Sequence, residues 1–432
     1  MSEHTLRQRL NDELHARPPV SLTGPAWITH LVMLHEGPNG RLAPGQEEAH
    51  LHELCELAQS PFGSEIDGDH WILEAGNLRL KWERHNEFSS YTFFRQRQAD
   101  DGPRTTALEA FPGDWCTRIP GCMLVATHVE YCTSQERDPE ALMAELARSS
   151  TPFVATRVAD GAALVVSDFR IHDGFTHYTM IDESLRHRQS GRTIQRLLEI
   201  ETYRMMALLA FPVAKEVSRL LARHEQDTAE LMAEMARAVS HEDERTILAG
   251  LTRLAAEVEL SITRTAFRFG AAEAYYALVK QRITDLRGQP VDGFSSIRGF
   301  LDRRLAPAIQ TCLSVARRQN ELTGRIARKS ALLRTRVDIE LERQNQELLA
   351  QMNRRASLQL RLQETVEGLS VVAITYYASS LVHHLAEGLE HYVHGIEPAV
   401  AAAISIPLIA IAVAMGIRRM RRHLTAAEEG SH

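Results

Sequence analysis

The stretch LVHHLAEGLEHYVHG, Leu381 to Gly395, carries four histidines and two glutamates but no lysine or arginine. Imidazole suits zinc, nickel and cobalt, whereas carboxylates suit magnesium and manganese. His384, Glu387, Glu390, His391 and His394 are therefore candidates for a cation-attracting vestibule, with His383 beside them, if several copies of the chain surround one axis. Just upstream, Thr375, Ser379 and His383 fall at i, i+4 and i+8 on one helix face. Tyr376, Ser380 and His384 repeat the pattern one position along. Polar groups at bilayer depth are costly unless they pair or meet water, so such a stripe faces other helices or a wet cavity. Two uses fit it. Thr375, Tyr376, Ser379, Ser380 and His383 could line a pore, or they could hold an oligomer together by hydrogen bonds between helices. The pair His391-xx-His394 is a weak ligand signal by itself, because interfacial histidines that bind nothing are commoner.

Two uncharged runs hold this stretch. Leu369 to Leu385 has no acidic or basic side chain apart from two histidines, and Pro398 to Ile417 has no charge. An α-helix needs about 17 to 25 apolar residues to cross the hydrocarbon core, and membrane helices tolerate a proline such as Pro407. The two runs read as a transmembrane hairpin, residues 366–386 and 398–417, joined by an external loop, 387–397. Arg354, Arg355 and Arg361 precede the first run, and Arg418, Arg419, Arg421 and Arg422 open a basic tail, 418–432. Loops retained in the cytoplasm are enriched in Lys and Arg. The expected location is the inner (plasma) membrane, crossed twice, with both termini cytoplasmic.

The rest of the chain must carry this hairpin. Its 432 residues allow two or three domains. A net charge of -7 argues against a nucleic-acid partner, and no basic patch is interleaved with aromatics. Five scattered cysteines form no CxxC pair, which suits a reducing compartment. The N-terminus has no apolar run of signal-peptide length. No HExxH, GxSxG, P-loop or GxGxxG pattern occurs, so the chain is not expected to be an enzyme.

Residues 1–190 read as a cytoplasmic α/β domain with a mostly buried sheet. AWITHLVML, FSSYTFFRQ and CMLVATHVEYC are strand-like, Asp160-Gly161 marks a hairpin, and QEEAHLHELCELA and DPEALMAELA have helical period. Residues 191–300 form a helical domain, with Pro212 expected to kink its first helix. After Pro307 no proline occurs until Pro398, which predicts a stalk helix over 301–365, continuous from about Ala308 into the membrane. Its 78 or so positions would span roughly 115 Å. Helices this long rarely stand alone, so a coiled coil or homo-oligomer is expected. Of the remaining motifs, HLHELCE (50–56) spreads its donors around a helix, NDELHARPP reads as a capped helix end before a double proline, and DFRIHDG reads as a strand end and turn.

LNDELHARP, HNEFSSYTFFR, LLEIETYRMMALLAFPVA and LQETVEGLSVVAITYY together resemble a bacterial family of membrane-anchored proteins, domain-of-unknown-function family 3422, across nearly the whole chain. That resemblance implies location and no particular activity. The architecture also resembles the CorA-type magnesium and zinc transporters, which implies a pentamer whose first span lines a pore for a divalent cation such as magnesium or zinc. CorA proteins carry Gly-Met-Asn at the end of that span, whereas this chain has LVHHLAEGLEH there. No selectivity residue carries over. The overall expectation is an α+β protein with a CorA-like layout, working as a divalent-cation channel or transporter gated by its cytoplasmic domain. The alternative is a non-transporting membrane-tethered scaffold or sensor whose cytoplasmic domain binds a partner or small ligand.

Overall fold

Strand β1 (Ala26–Leu34) sends Trp27, Thr29, Leu31 and Met33 to one side and Ile28, His30 and Val32 to the other, all of them buried. A strand covered on both faces needs no alternation of apolar and polar residues, which is why its sequence is apolar almost throughout. The computed structural model describes the chain except residues 1–2, 9–10, 12–18, 36–41, 59–67, 77, 103–104, 187, 239, 390–397 and 430–432. It divides into two compact units, Met1–Ser330 and Ala331–His432.

The first unit is built on one sheet. Its other strands are β2 (His70–Ala75), β3 (Leu78–Arg84), β4 (Phe88–Gln96), β5 (Cys122–Thr133), β6 (Val154–Val158), β7 (Ala163–Ser167), β8 (Ile171–His172), β9 (Phe175–Asp182) and β10 (Gln289–Pro290). They lie in the order β10-β6-β7-β9-β5-β1-β4-β3-β2, with β8 paired to β9. Only the β5–β9 pair is parallel among these strands. The β6–β7 hairpin turns at Asp160-Gly161, where Ala159, Asp160 and Gly161 all have positive φ. Asp and Gly adopt that conformation at least cost.

Two helical layers sandwich the sheet. On one face, helix α1 (Gln46–Leu57) and the short α2 (Gly113–Thr117) bury Leu51, Leu54 and Trp115 against Trp27, Trp82 and Phe93. Each wholly buried leucine there, such as Leu51 or Leu80, contributes roughly 1.5–3 kcal/mol. Helix α3 (Pro139–Ala147) starts on an Asp138 side chain that accepts from the Glu140 N–H, with Pro139 in the first turn. On the other face lie α4 (Gln189–Leu208), α5 (Ala210–Arg237) and α6 (His241–Asp285). Ile194, Leu197 and Leu198 of α4 pack on Ile28, Phe94 and Val129, and Val279 and Ile283 of α6 join them.

The proline expected to kink the first of these helices follows an interruption in it, at a residue whose φ and ψ stay helical. The helix breaks at Leu209, and Pro212 sits in the first turn of α5. There its missing N–H removes no intrahelical bond, and its ring would otherwise clash with the Leu208 carbonyl.

Helix α7 (Ile297–Leu389) is uninterrupted. It begins ahead of the expected Ala308, with Pro307 inside it, because Leu301, Leu305 and Ile309 on either side are buried in the body's core. The expected boundary at residues 300–301 therefore falls within this helix, and the units divide at Ser330. The second unit holds the rest of α7 and helix α8 (Pro398–Glu429). Among the described residues, α7 is the one helix long and apolar enough to cross a membrane by length and composition, and α8 contains a shorter apolar run, Ala402–Ile417.

Candidate functional site

In the second unit, the structure separates the residues that the sequence groups into one stripe. Thr375 and Ser379 are 8% and 9% exposed, Ser380 and His383 are half-buried, and Tyr376 and His384 are exposed. The Ser379 hydroxyl donates to the Tyr376 carbonyl at 3.0 Å, and the buried Thr375 Oγ1 has no hydrogen-bond partner. At the end of the run, Glu387 serves both histidines. Its carboxylate lies 3.2 Å from His384 Nδ1 and 3.5 Å from His383 Nε2. Glu390, His391 and His394 lie outside the described residues. Among the described residues, no group of three or more His, Cys, Asp or Glu is placed to hold a metal ion.

The half-covered faces of both helices carry mainly small residues. On α7 the covered stripe runs through Val371, Thr375, Ala378, Ser379, Val382 and Ala386. On α8 it runs through Ala402, Ser405, Ile409, Ala410, Val413 and Ala414. The large apolar side chains point the other way.

The body contains a second site that sequence reading passes over. Strands β1, β4 and β3 bring His30, Thr92 and Lys81 into one cross-strand row, because His30 pairs with Thr92 and Thr92 with Lys81. Ser90 and Glu83 form the next row on the same face. Strand spacing near 4.8 Å places Lys81 roughly 10 Å from His30 along the row. Above them α4 presents Gly191, Ile194, Gln195, Leu198, Glu199 and Thr202, a single stripe at helical spacing. Between the two surfaces lies an open-sided cavity of about 260 Å³, with Arg282 of α6 at its wall.

The charges around this cavity are paired. Lys81 Nζ meets Glu83 Oε1 at 3.0 Å, with Lys81 5% exposed. Arg282 Nε donates to Glu199, and its Nη1 to Asp285 at 3.2 Å. Gln195 donates to the second Glu199 oxygen at 2.8 Å. His30 lies between hydroxyls, with Nδ1 2.9 Å from Thr92 Oγ1 and Nε2 3.0 Å from Thr202 Oγ1. Burial first, and then the neighbouring Lys81 charge, lowers its pKa from 6.5 to about 3, so the ring is neutral. Gly191 is required by close approach, since a Cβ there would lie 1.8 Å from the Val20 carbonyl oxygen. The signal for this site was present in the strands. Arg79, Lys81 and Glu83 alternate with Leu78, Leu80 and Trp82, so one side of a strand inside the body is charged.

Several other histidines have structural partners. His128 stacks on Phe175 at 3.9 Å and its Nδ1 lies 2.8 Å from Thr29 Oγ1, while His177 sits beside it at 5.4 Å between ring centres. Burial and then the His177 charge lower the His128 pKa to about 4. His50 of the HLHELCE segment stacks on Trp115 at 4.2 Å. In DFRIHDG, His172 Nε2 reaches Asp168 at 2.6 Å, and the chain turns at Asp173-Gly174 with positive φ at both. NDELHARPP lies almost wholly outside the described residues.

No curated protein and no solved structure matches this chain. One family model does, over residues 2–424, and its description is "Protein of unknown function (DUF3422)". With nearly its whole length matched, the chain belongs to the DUF3422 family.

Proposed function

We propose that this protein is a membrane-anchored, parallel homo-oligomer, a tethered sensor or scaffold whose body works at the cytoplasmic face and whose C-terminal helices form a two-span hairpin. One observation carries the reading: an open apolar seam along the stalk, interrupted at Arg355 and Gln359, that resumes at Leu362 and continues into the uncharged run. Leu348, Met352, Leu362, Val366 and Leu369 occupy a and d positions of one heptad frame and are 56–72% exposed in the single chain. Such a seam is covered in coiled coils by the same seam of a neighbour. Past Leu369 the exposed surface is mainly apolar and aromatic, with Val372, Ile374, Tyr376, Tyr377, Leu381 and Leu385 open and His384 at its end, which suits lipid.

The covered Thr375–Ser379 face favours an anchor over a conduit, because a stripe already shielded within one chain has little surface left for an axial pore. The second reading, a CorA-like divalent-cation channel or transporter, draws support from Glu387 clasped by His383 and His384 at the end of the run. In that reading the ion is cargo, magnesium or zinc, and further ligands come from residues 390–397 or from neighbouring copies.

Native mass spectrometry of the detergent-solubilised chain tests the assembly. We expect an oligomer, and Leu348→Glu with Leu362→Glu should reduce it to monomers that stay in the membrane fraction. A wild-type monomer, or a chain soluble without detergent, overturns the proposal. Proteoliposome flux of magnesium, zinc, nickel and cobalt separates the two readings. Flux abolished by Ser379→Ala or His383→Ala would replace the anchor with the transporter.

A further inference from the structure

We propose that the cavity between α4 and the β1-β4-β3 surface is a binding site for a small zwitterion of the α-amino-acid class. Its size sets the first limit. About 260 Å³, at ~30 Å³ for each water-sized group, accommodates roughly nine non-hydrogen atoms. That suits a ligand the size of an amino acid.

Charge sets the second limit. Lys81, Glu83, Glu199 and Arg282 line the cavity as two ion pairs, one on the sheet and one on the helices. Taking charges out of water is expensive, and well-packed apolar side chains would fill such a space at least as stably. A body that keeps them around an open volume is built to meet charge. The two ends differ in what they offer. On the sheet, Lys81 has three N–H donors and Glu83 meets the ammonium from one side, with the Ser90 hydroxyl alongside. This end suits a carboxylate. On the helices, the carboxylates of Glu199 and Asp285 share the single Arg282 guanidinium, so acceptor charge exceeds donor charge. This end suits an ammonium.

The wall between the ends supplies the rest of the match. Leu198 and Ile194 offer apolar surface for a short aliphatic side chain, and neutral His30 adds no charge beside Lys81. A plain carboxylic acid would leave the Glu199 end unmatched, and a plain amine would leave the Lys81 end unmatched. The site lies wholly within Met1–Ser330 and stands independently of how the protein is anchored.

The test uses the full chain in detergent micelles, with thermal unfolding followed by tryptophan emission. The twenty common L-α-amino acids are added singly at millimolar concentration. We expect at least one to raise the midpoint by several degrees, while its deaminated acid and its decarboxylated amine at equal concentration leave the midpoint unchanged. Lys81→Met should weaken the binding amino acid by about tenfold or more. Gln195→Trp, which fills the cavity from its half-buried edge, should do the same and serves if Lys81→Met does not fold. The proposal fails if none of the twenty shifts the midpoint. It fails equally if the deaminated acid or the amine binds as tightly as the parent, or if a folded Lys81→Met or Gln195→Trp chain binds like wild type.

Discussion

Acidification should loosen the body through His30, and the size of the effect follows from its surroundings. The ring is 5% exposed, hydrogen-bonded at both nitrogens to hydroxyls, and near the Lys81 charge. Its pKa falls from 6.5 in the unfolded chain to about 3 in the folded one. Between these values the unfolded state binds the additional proton, so stability rises with pH across that window, is complete above it, and is lost as pH falls. Going from about pH 7.5 to about pH 5.5 takes the unfolded histidine from mostly neutral to mostly charged while the folded ring stays neutral. The loss attributable to this side chain is about 1.4 kcal/mol. His128, lowered to about 4 by burial and His177, adds a loss in the same direction. His30→Gln keeps a polar side chain between the two threonines but cannot titrate. Urea unfolding followed by tryptophan emission reads the body alone, since Trp27, Trp71, Trp82 and Trp115 all lie within it. At an m-value of roughly 3 kcal/mol/M, the wild-type midpoint should fall between the two pH values by about 0.5 M more than the variant's. Equal falls in the two proteins would refute the neutral buried ring and the row of contacts that defines it.

Two further substitutions examine how the body is positioned. Gly191→Ala places a methyl group 1.8 Å from the Val20 carbonyl oxygen, so the start of α4 must move away from the segment at Val20. Denaturant melts should show a loss of about 1–3 kcal/mol, and no loss would mean that the chain at Val20 yields freely. Asp138→Ala removes the acceptor for the Glu140 N–H at the start of α3 and should reduce stability by about 1 kcal/mol in the same assay.

Sequence reading reached local features first. The Asp160-Gly161 turn, the strand over 26–34, the helices at 46–57 and 139–147, and the unbroken course of α7 through Gly324 and Gly368 are all decided by residues within a few positions of one another. The cavity was not reached because it depends on register. Lys81, Thr92 and His30 are separated along the chain and meet only once β3, β4 and β1 pair in that order. The alternation in LRLKWER shows a charged side to the strand, but nothing local says that this side faces α4 and not water. The same limit explains Pro212. A proline in a helical run says that something changes there, and whether the helix bends or restarts depends on how α4 and α5 pack.

The second unit's helices distribute their side chains in the reverse of a water-facing helix. A soluble amphipathic helix turns its large apolar residues inward and its polar ones outward. Here the covered faces hold Thr375, Ala378, Ser379, Ser405, Ala410 and Ala414, while Leu369, Leu381, Leu385, Ile404, Leu408 and Ile411 are open. In water the hydrophobic effect opposes that arrangement at every leucine and isoleucine. In lipid it does not, and the remaining preference is for close backbone approach, which small residues permit. This is the pattern expected of membrane helices, and it also limits what Thr375 and Ser379 can do. Side chains already covered within the unit have little surface left to offer elsewhere. A cation path through the proposed oligomer would have to be lined by a different face of α7 from the one that holds them.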